Sequence, residues 1–121
     1  ITIIANGAMV SIAMNTLKRF ESVGIDAGLI DMFTLKPLDT DMLEEVSGRT
    51  RAFLVCEEHQ ITGGLGSAVA EFVSGSRPMP VERLGIMDTF GESGTPEELF
   101  RKYGLDEESI IYKGKALYDR I

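Results

Sequence analysis

The chain has 121 residues, 44% of them hydrophobic, which suits one compact domain with its own core and excludes disordered and collagen-like classes. Its 19 acidic and 12 basic residues give a formal net charge of -7, and no stretch gathers enough lysine or arginine to track a phosphate backbone, so no nucleic-acid partner is expected. No apolar run approaches the roughly 20 residues of a spanning helix and no secretion signal opens the chain, so it reads as soluble, with no membrane partner.

Ile1-Thr2-Ile3-Ile4 already lies inside a strand pattern, which reads as a piece of a longer chain with something upstream of it. Residues 1–5 form an apolar, β-branched run expected to be a buried strand, ended by Asn6-Gly7. From 8 to 23, Met9 or Val10, Ala13, Leu17 and Phe20 recur at helical spacing, and Gly24 closes the helix. A second strand is expected over 25–32, then an irregular link over 33–39 stiffened by Pro37. Asp39 or Thr40 can cap a helix reaching about Gly48, with Met42, Leu43 and Val46 inward.

A third strand is expected over 52–56, and the polar stretch Glu57-Glu58-His59-Gln60 leads through Gly63-Gly64-Leu65-Gly66 into a helix that ends near Ser74-Gly75. Residues 79–86 read as a fourth strand, an edge candidate because Pro78 and Pro80 lead into it. Thr95-Pro96-Glu97-Glu98 has the N-cap, N1 proline and capping-box acid of a helix start. That helix would bury Leu99, Phe100 and Tyr103 and end at Gly104, before a last helix from about Asp106 carrying Ile110, Ile111, Leu117 and Ile121. The alternation predicts an α/β fold, three layers α/β/α around a mostly parallel sheet of four or five strands.

Gly63, Gly64 and Gly66 at a helix start could expose amides to an anion, although a tight turn explains them more simply. Val69 stands where a dinucleotide fingerprint needs its third glycine, and no lysine completes a triphosphate loop. His59 is the only imidazole, and a hydrogen-bonding role in a loop or domain contact fits it better than a general base. Glu57 and Glu58 are adjacent and should face opposite ways, which makes a carboxylate pair for glycoside chemistry improbable. One cysteine, Cys56, cannot form an intrachain disulfide and suits the cytoplasm. No spacing of ligands suggests a metal site, and Arg77, Arg83, Lys102 and Lys113 read as solvated faces.

In combination, the run Val55-Cys56-Glu57-Glu58-His59-Gln60-Ile61-Thr62-Gly63-Gly64-Leu65-Gly66-Ser67, the run Asp88-Thr89-Phe90-Gly91-Glu92-Ser93-Gly94-Thr95-Pro96 and Tyr103-Gly104-Leu105 resemble the C-terminal domain of transketolase. Related domains occur in deoxyxylulose phosphate synthase and 2-oxoacid dehydrogenase beta subunits, and the Phe90-Gly91-Glu92-Ser93-Gly94 turn favours transketolase. The resemblance covers essentially the whole chain. It implies a parent enzyme of the pentose phosphate pathway that transfers a two-carbon ketol unit between sugar phosphates, using thiamine diphosphate and a divalent cation (Mg).

In that family two other domains hold the coenzyme, one of them through a Gly-Asp-Gly motif that this sequence lacks. The resemblance therefore assigns no catalytic, cofactor-binding or metal residue here and implies that the isolated domain is inactive. Its partners would be the other transketolase domains or a separate subunit, within a homodimer of the parent enzyme. The family's sheet has five strands with the first antiparallel, which would place the missing strand upstream of Ile1. The family's strand order sets the first strand between the second and third and opens a crevice lined by Asn6, Gly7, Glu57, Glu58, His59, Gly63 and Gly64. A small anion or regulatory ligand is expected there, if anywhere. Alternatively, the chain is a free-standing phosphate- or nucleotide-binding module, or the same domain of one of the related enzymes.

Overall fold

A computed structural model describes residues 1–32, 38–60, 64–86 and 105–121. The elements are β1 (Thr2–Ala5), α1 (Met9–Ser22), β2 (Gly28–Asp31), α2 (Thr40–Ser47), β3 (Phe53–Gln60), α3 (Leu65–Ser76), β4 (Val81–Ile86) and α4 (Glu107–Asp119). The strands form one sheet in the order β2-β1-β3-β4, and every neighbouring pair is parallel. The expected placing of the first strand between the second and third holds, and β4 is an edge. A fifth, antiparallel strand is not among the described residues.

Because helices cover both faces of a parallel sheet, its central strands must be apolar on both sides. All four residues of β1 are buried, and alternation divides the strands between two cores. Ile3, Ala5, Leu54, Cys56 and Leu84 pack against Met9, Ala13 and Phe20 of α1 and Ile110, Ile111 and Leu117 of α4. Ile4, Phe53 and Val55 pack against Leu43 and Val46 of α2 and Leu65, Val69 and Val73 of α3.

The helix ends follow local chemistry. Gly24, at φ 81, takes the left-handed turn that releases the chain from α1, its N–H donating to the Glu21 carbonyl at 3.0 Å. Asp39 Oδ1 accepts from the Met42 N–H at 3.1 Å, and Asp106 Oδ1 accepts from the Ser109 N–H at 2.8 Å, so each aspartate caps its helix.

Three expectations need correction. Met42 is 39% exposed and not inward; Leu43, Val46 and Ser47 set the buried face of α2, and Met42 stands one residue round from Leu43. β3 does not stop at Cys56 but runs to Gln60, because β4 continues beside it after β1 has ended, with an irregular register between Cys56 and Gln60. β2 is shorter than expected, four residues from Gly28. The link over 33–37, Gly63, the turn at 88–94 and the helix expected from Thr95 lie outside the described residues.

Candidate functional site

The connection through α1 carries the chain from β1 to β2 on one side, and the connection through α2 carries it past β1 to β3 on the other. The chain thus leaves the carboxyl ends of β1 and β3 in opposite directions, which is the switch-point geometry of open parallel sheets. Ala5 is the register partner of Cys56, so Asn6 and Gly7 leave β1 beside the point where β3 continues into Glu57.

Glu57 has the same parity as Phe53 and Val55, which points its side chain to the α2/α3 face. It is 1% exposed. Its Oε1 accepts from the Leu65 N–H at 2.8 Å and its Oε2 from the Gly66 N–H at 2.7 Å. Gly64 is the N-cap of α3 and has no side chain to accept from those amides, so a carboxylate on the neighbouring strand serves as the cap. The arrangement sets a carboxylate against the positive end of the helix dipole through two short, charge-assisted bonds.

Arg83 on β4 completes the junction. A Cβ at position 66 would lie 2.7 Å from both Cγ and Cδ of Arg83, so only glycine lets the arginine stem cross the first turn of α3. Arg83 Nη1 donates to Ser67 Oγ at 3.3 Å. Arg83 is thus half-buried and not part of a solvated face, and two of the other cations read that way, Arg77 and Lys113, are also engaged. Arg77 Nη1 donates to the Ser47 carbonyl at 3.4 Å, and Lys113 Nζ to Glu82 Oε1 at 3.3 Å.

The structure thus brings Asn6, Gly7, Glu57 and Gly64 to one end of the sheet, while Glu58 and His59 continue the backbone of β3. Gly7 has φ 57, and the buried Asn6 Oδ1 has no hydrogen-bond partner among the described residues. Sequence reasoning missed the Glu57 contact and Arg83. The signal available for both was parity, since each lies two residues beyond an apolar inward position, Val55 and Val81 respectively. Cys56 faces the opposite core, where burial, reinforced by the adjacent Glu57 charge, pushes its thiol up to about 12. It is therefore not a nucleophile at neutral pH.

Such a switch point could hold a diphosphate only with free amide donors and a cation site. Here the Leu65 and Gly66 amides already donate to Glu57, and no group of three His, Cys, Asp or Glu among the described residues is placed to hold a metal. The described residues of this junction do not fit thiamine diphosphate with its divalent ion. No helix among the described residues is long and apolar enough to cross a membrane.

The family described as "Transketolase, C-terminal domain" matches residues 1–110. A Methanocaldococcus jannaschii protein, provisionally named a transketolase C-terminal section, is 43% identical over 112 residues, covering 91% of this chain and 34% of that protein. The 6-deoxy-6-sulfo-D-fructose transketolase subunit SqwH of a Clostridium species is 33% identical over 120 residues, covering 99% of this chain and 37% of that one. The 1-deoxy-D-xylulose-5-phosphate synthase of Clostridium tetani is 37% identical over 112 residues, 92% of this chain and 18% of the synthase. A solved structure of a split-gene transketolase, an inactive beta4 tetramer, matches with a TM-score of 0.90 and 43% identity over 96% of this chain and 38% of that one. The chain thus spans about a third of the length of the first two relatives. It belongs to the transketolase C-terminal domain family.

Proposed function

We propose that the chain is the C-terminal part of a thiamine-diphosphate-dependent transketolase, a transferase that moves a two-carbon ketol unit between sugar phosphates in the pentose phosphate pathway of the cytoplasm. The observation that carries this reading is the family match over residues 1–110, combined with relatives of which the chain spans about a third. The coenzyme and its Mg ion would be held by the other domains or by a separate subunit, within a homodimer of the parent enzyme.

In this reading residues 1–121 supply fold, subunit contacts and regulation, and are inactive alone. The Glu57 cap supports that division of labour, because the Leu65 and Gly66 amides at the start of α3 are already taken. The end of the sheet where Asn6, Gly7 and Gly64 meet then serves as a contact or regulatory surface. The buried Asn6 oxygen there, which has no hydrogen-bond partner among the described residues, is an acceptor, which suits a donor group better than an anion.

The 37% identity to a deoxyxylulose phosphate synthase supports a second reading, the same domain of that enzyme. The discriminating experiment gives the purified native protein thiamine diphosphate and Mg and compares two reactions. Ketol transfer from a ketose phosphate to an aldose phosphate supports transketolase. Condensation of pyruvate with glyceraldehyde 3-phosphate supports the synthase, and neither reaction, with any separate coenzyme-bearing subunit also supplied, would refute both.

A further inference from the structure

We infer that the Glu57 carboxylate is a built-in anion that occupies the β3–α3 junction and closes it to external anions, and so positions the end of β3 against α3. This does not rest on the transketolase reading. Both carboxylate oxygens are used, at 2.8 and 2.7 Å, and the side chain is 1% exposed. An external phosphate or carboxylate reaches the Leu65 and Gly66 amides only if Glu57 leaves. The contact is also tertiary. An ordinary N-cap lies within its own helix turn, whereas Glu57 is eight and nine residues before its donors, on the neighbouring strand. It therefore ties strand to helix just where β3 has run past the end of β1.

The chemistry of the occupant follows from the part that can be removed. Glu57→Ala deletes the Cγ and the carboxylate, an acetate-sized fragment, and leaves two amides at the positive end of a helix facing a small void. Those donors match a planar monocarboxylate such as formate or acetate better than tetrahedral phosphate. Glu57→Gln keeps the volume but replaces one acceptor oxygen with an NH2 group, which must face one of the two N–H donors unpaired.

The test uses the complete native protein and reads amide hydrogen exchange at Leu65 and Gly66 with thermal melting. In the wild type, formate, acetate and phosphate leave exchange at both amides unchanged. In Glu57→Ala, exchange accelerates about tenfold or more and the melting temperature falls by about 5 °C. Acetate or formate restores both saturably, and chloride at equal ionic strength does not. Glu57→Gln, which covers the case of an Ala variant that does not fold, accelerates exchange at one of the two amides. The inference is overturned by wild-type amides that respond saturably to any of these anions. It is equally overturned if exchange in Glu57→Gln is unchanged, or if no carboxylate restores a folded Glu57→Ala.

Discussion

Gly114 sits in the middle of α4, between Lys113 and Lys115, where helix propensity alone would favour alanine by about 1 kcal/mol. The packing reverses that expectation. A Cβ at this position would lie 2.6 Å from Phe20 Cε1 and closer still to Cζ, whereas carbon atoms in contact settle at about 3.5–4.0 Å. The ring or the helix must therefore retreat by about 1 Å. Phe20 is fully buried against α4 and cannot swing into water. Overpacking costs about 1–3 kcal/mol, and an approach this close to a ring that cannot leave the core falls toward the upper end, so the propensity gain offsets only part of it. Gly114→Ala should thus destabilise the fold by about 1 kcal/mol or more, seen in urea unfolding as a lower midpoint at unchanged slope. In a double-mutant cycle, Phe20→Leu, which frees the space, should absorb most of the Gly114→Ala cost. A Gly114→Ala protein as stable as wild type, or additive effects of the two substitutions, would refute the close α1–α4 approach.

Three further outcomes follow from the same geometry. Asp106→Ala and Asp39→Ala each remove a helix cap and should cost about 1 kcal/mol in urea unfolding, while the asparagine variants stay near wild type. Cys56 should resist alkylation in the folded protein at pH 8 and react at the rate of global unfolding. Because its thiol is raised from 9.0 to about 12, the folded state holds that proton more tightly than the unfolded chain. Its contribution to stability is complete below about pH 9 and is lost as pH rises toward 12, so Cys56→Ala should show a shallower loss over that window. The Glu57 variants described above complete the set, and they probe the junction without reference to activity.

The order of elements was legible because buried parallel strands leave β-branched apolar runs and the helices keep their inward residues three or four apart. Caps such as Asp39 and stops such as Gly24 are local chemistry, and they appear where the residues stand. β3 was legible only as far as Cys56, since Glu57-Glu58-His59-Gln60 is polar enough to pass for a loop. What makes it a strand is its pairing with β4, a partner 26 residues away at Gln60 and Ile86. Arg83 was misread, and the Glu57 contact missed, for a related reason: what a charged strand residue meets is not visible until the neighbouring helix is in place. Gly114 gives no signal at all in the sequence, because its meaning depends on Phe20 in another helix.

The proposed transketolase role is tested most directly by measuring ketol transfer, with thiamine diphosphate and Mg present, by residues 1–121 alone and by the native protein that contains them. Residues 1–121 alone should give no transfer and no saturable binding of the coenzyme. The complete protein, together with any separate coenzyme-bearing subunit, should transfer a two-carbon unit between sugar phosphates. Transfer by the 121-residue chain alone, or none by the complete assembly supplied with coenzyme and metal, would contradict it.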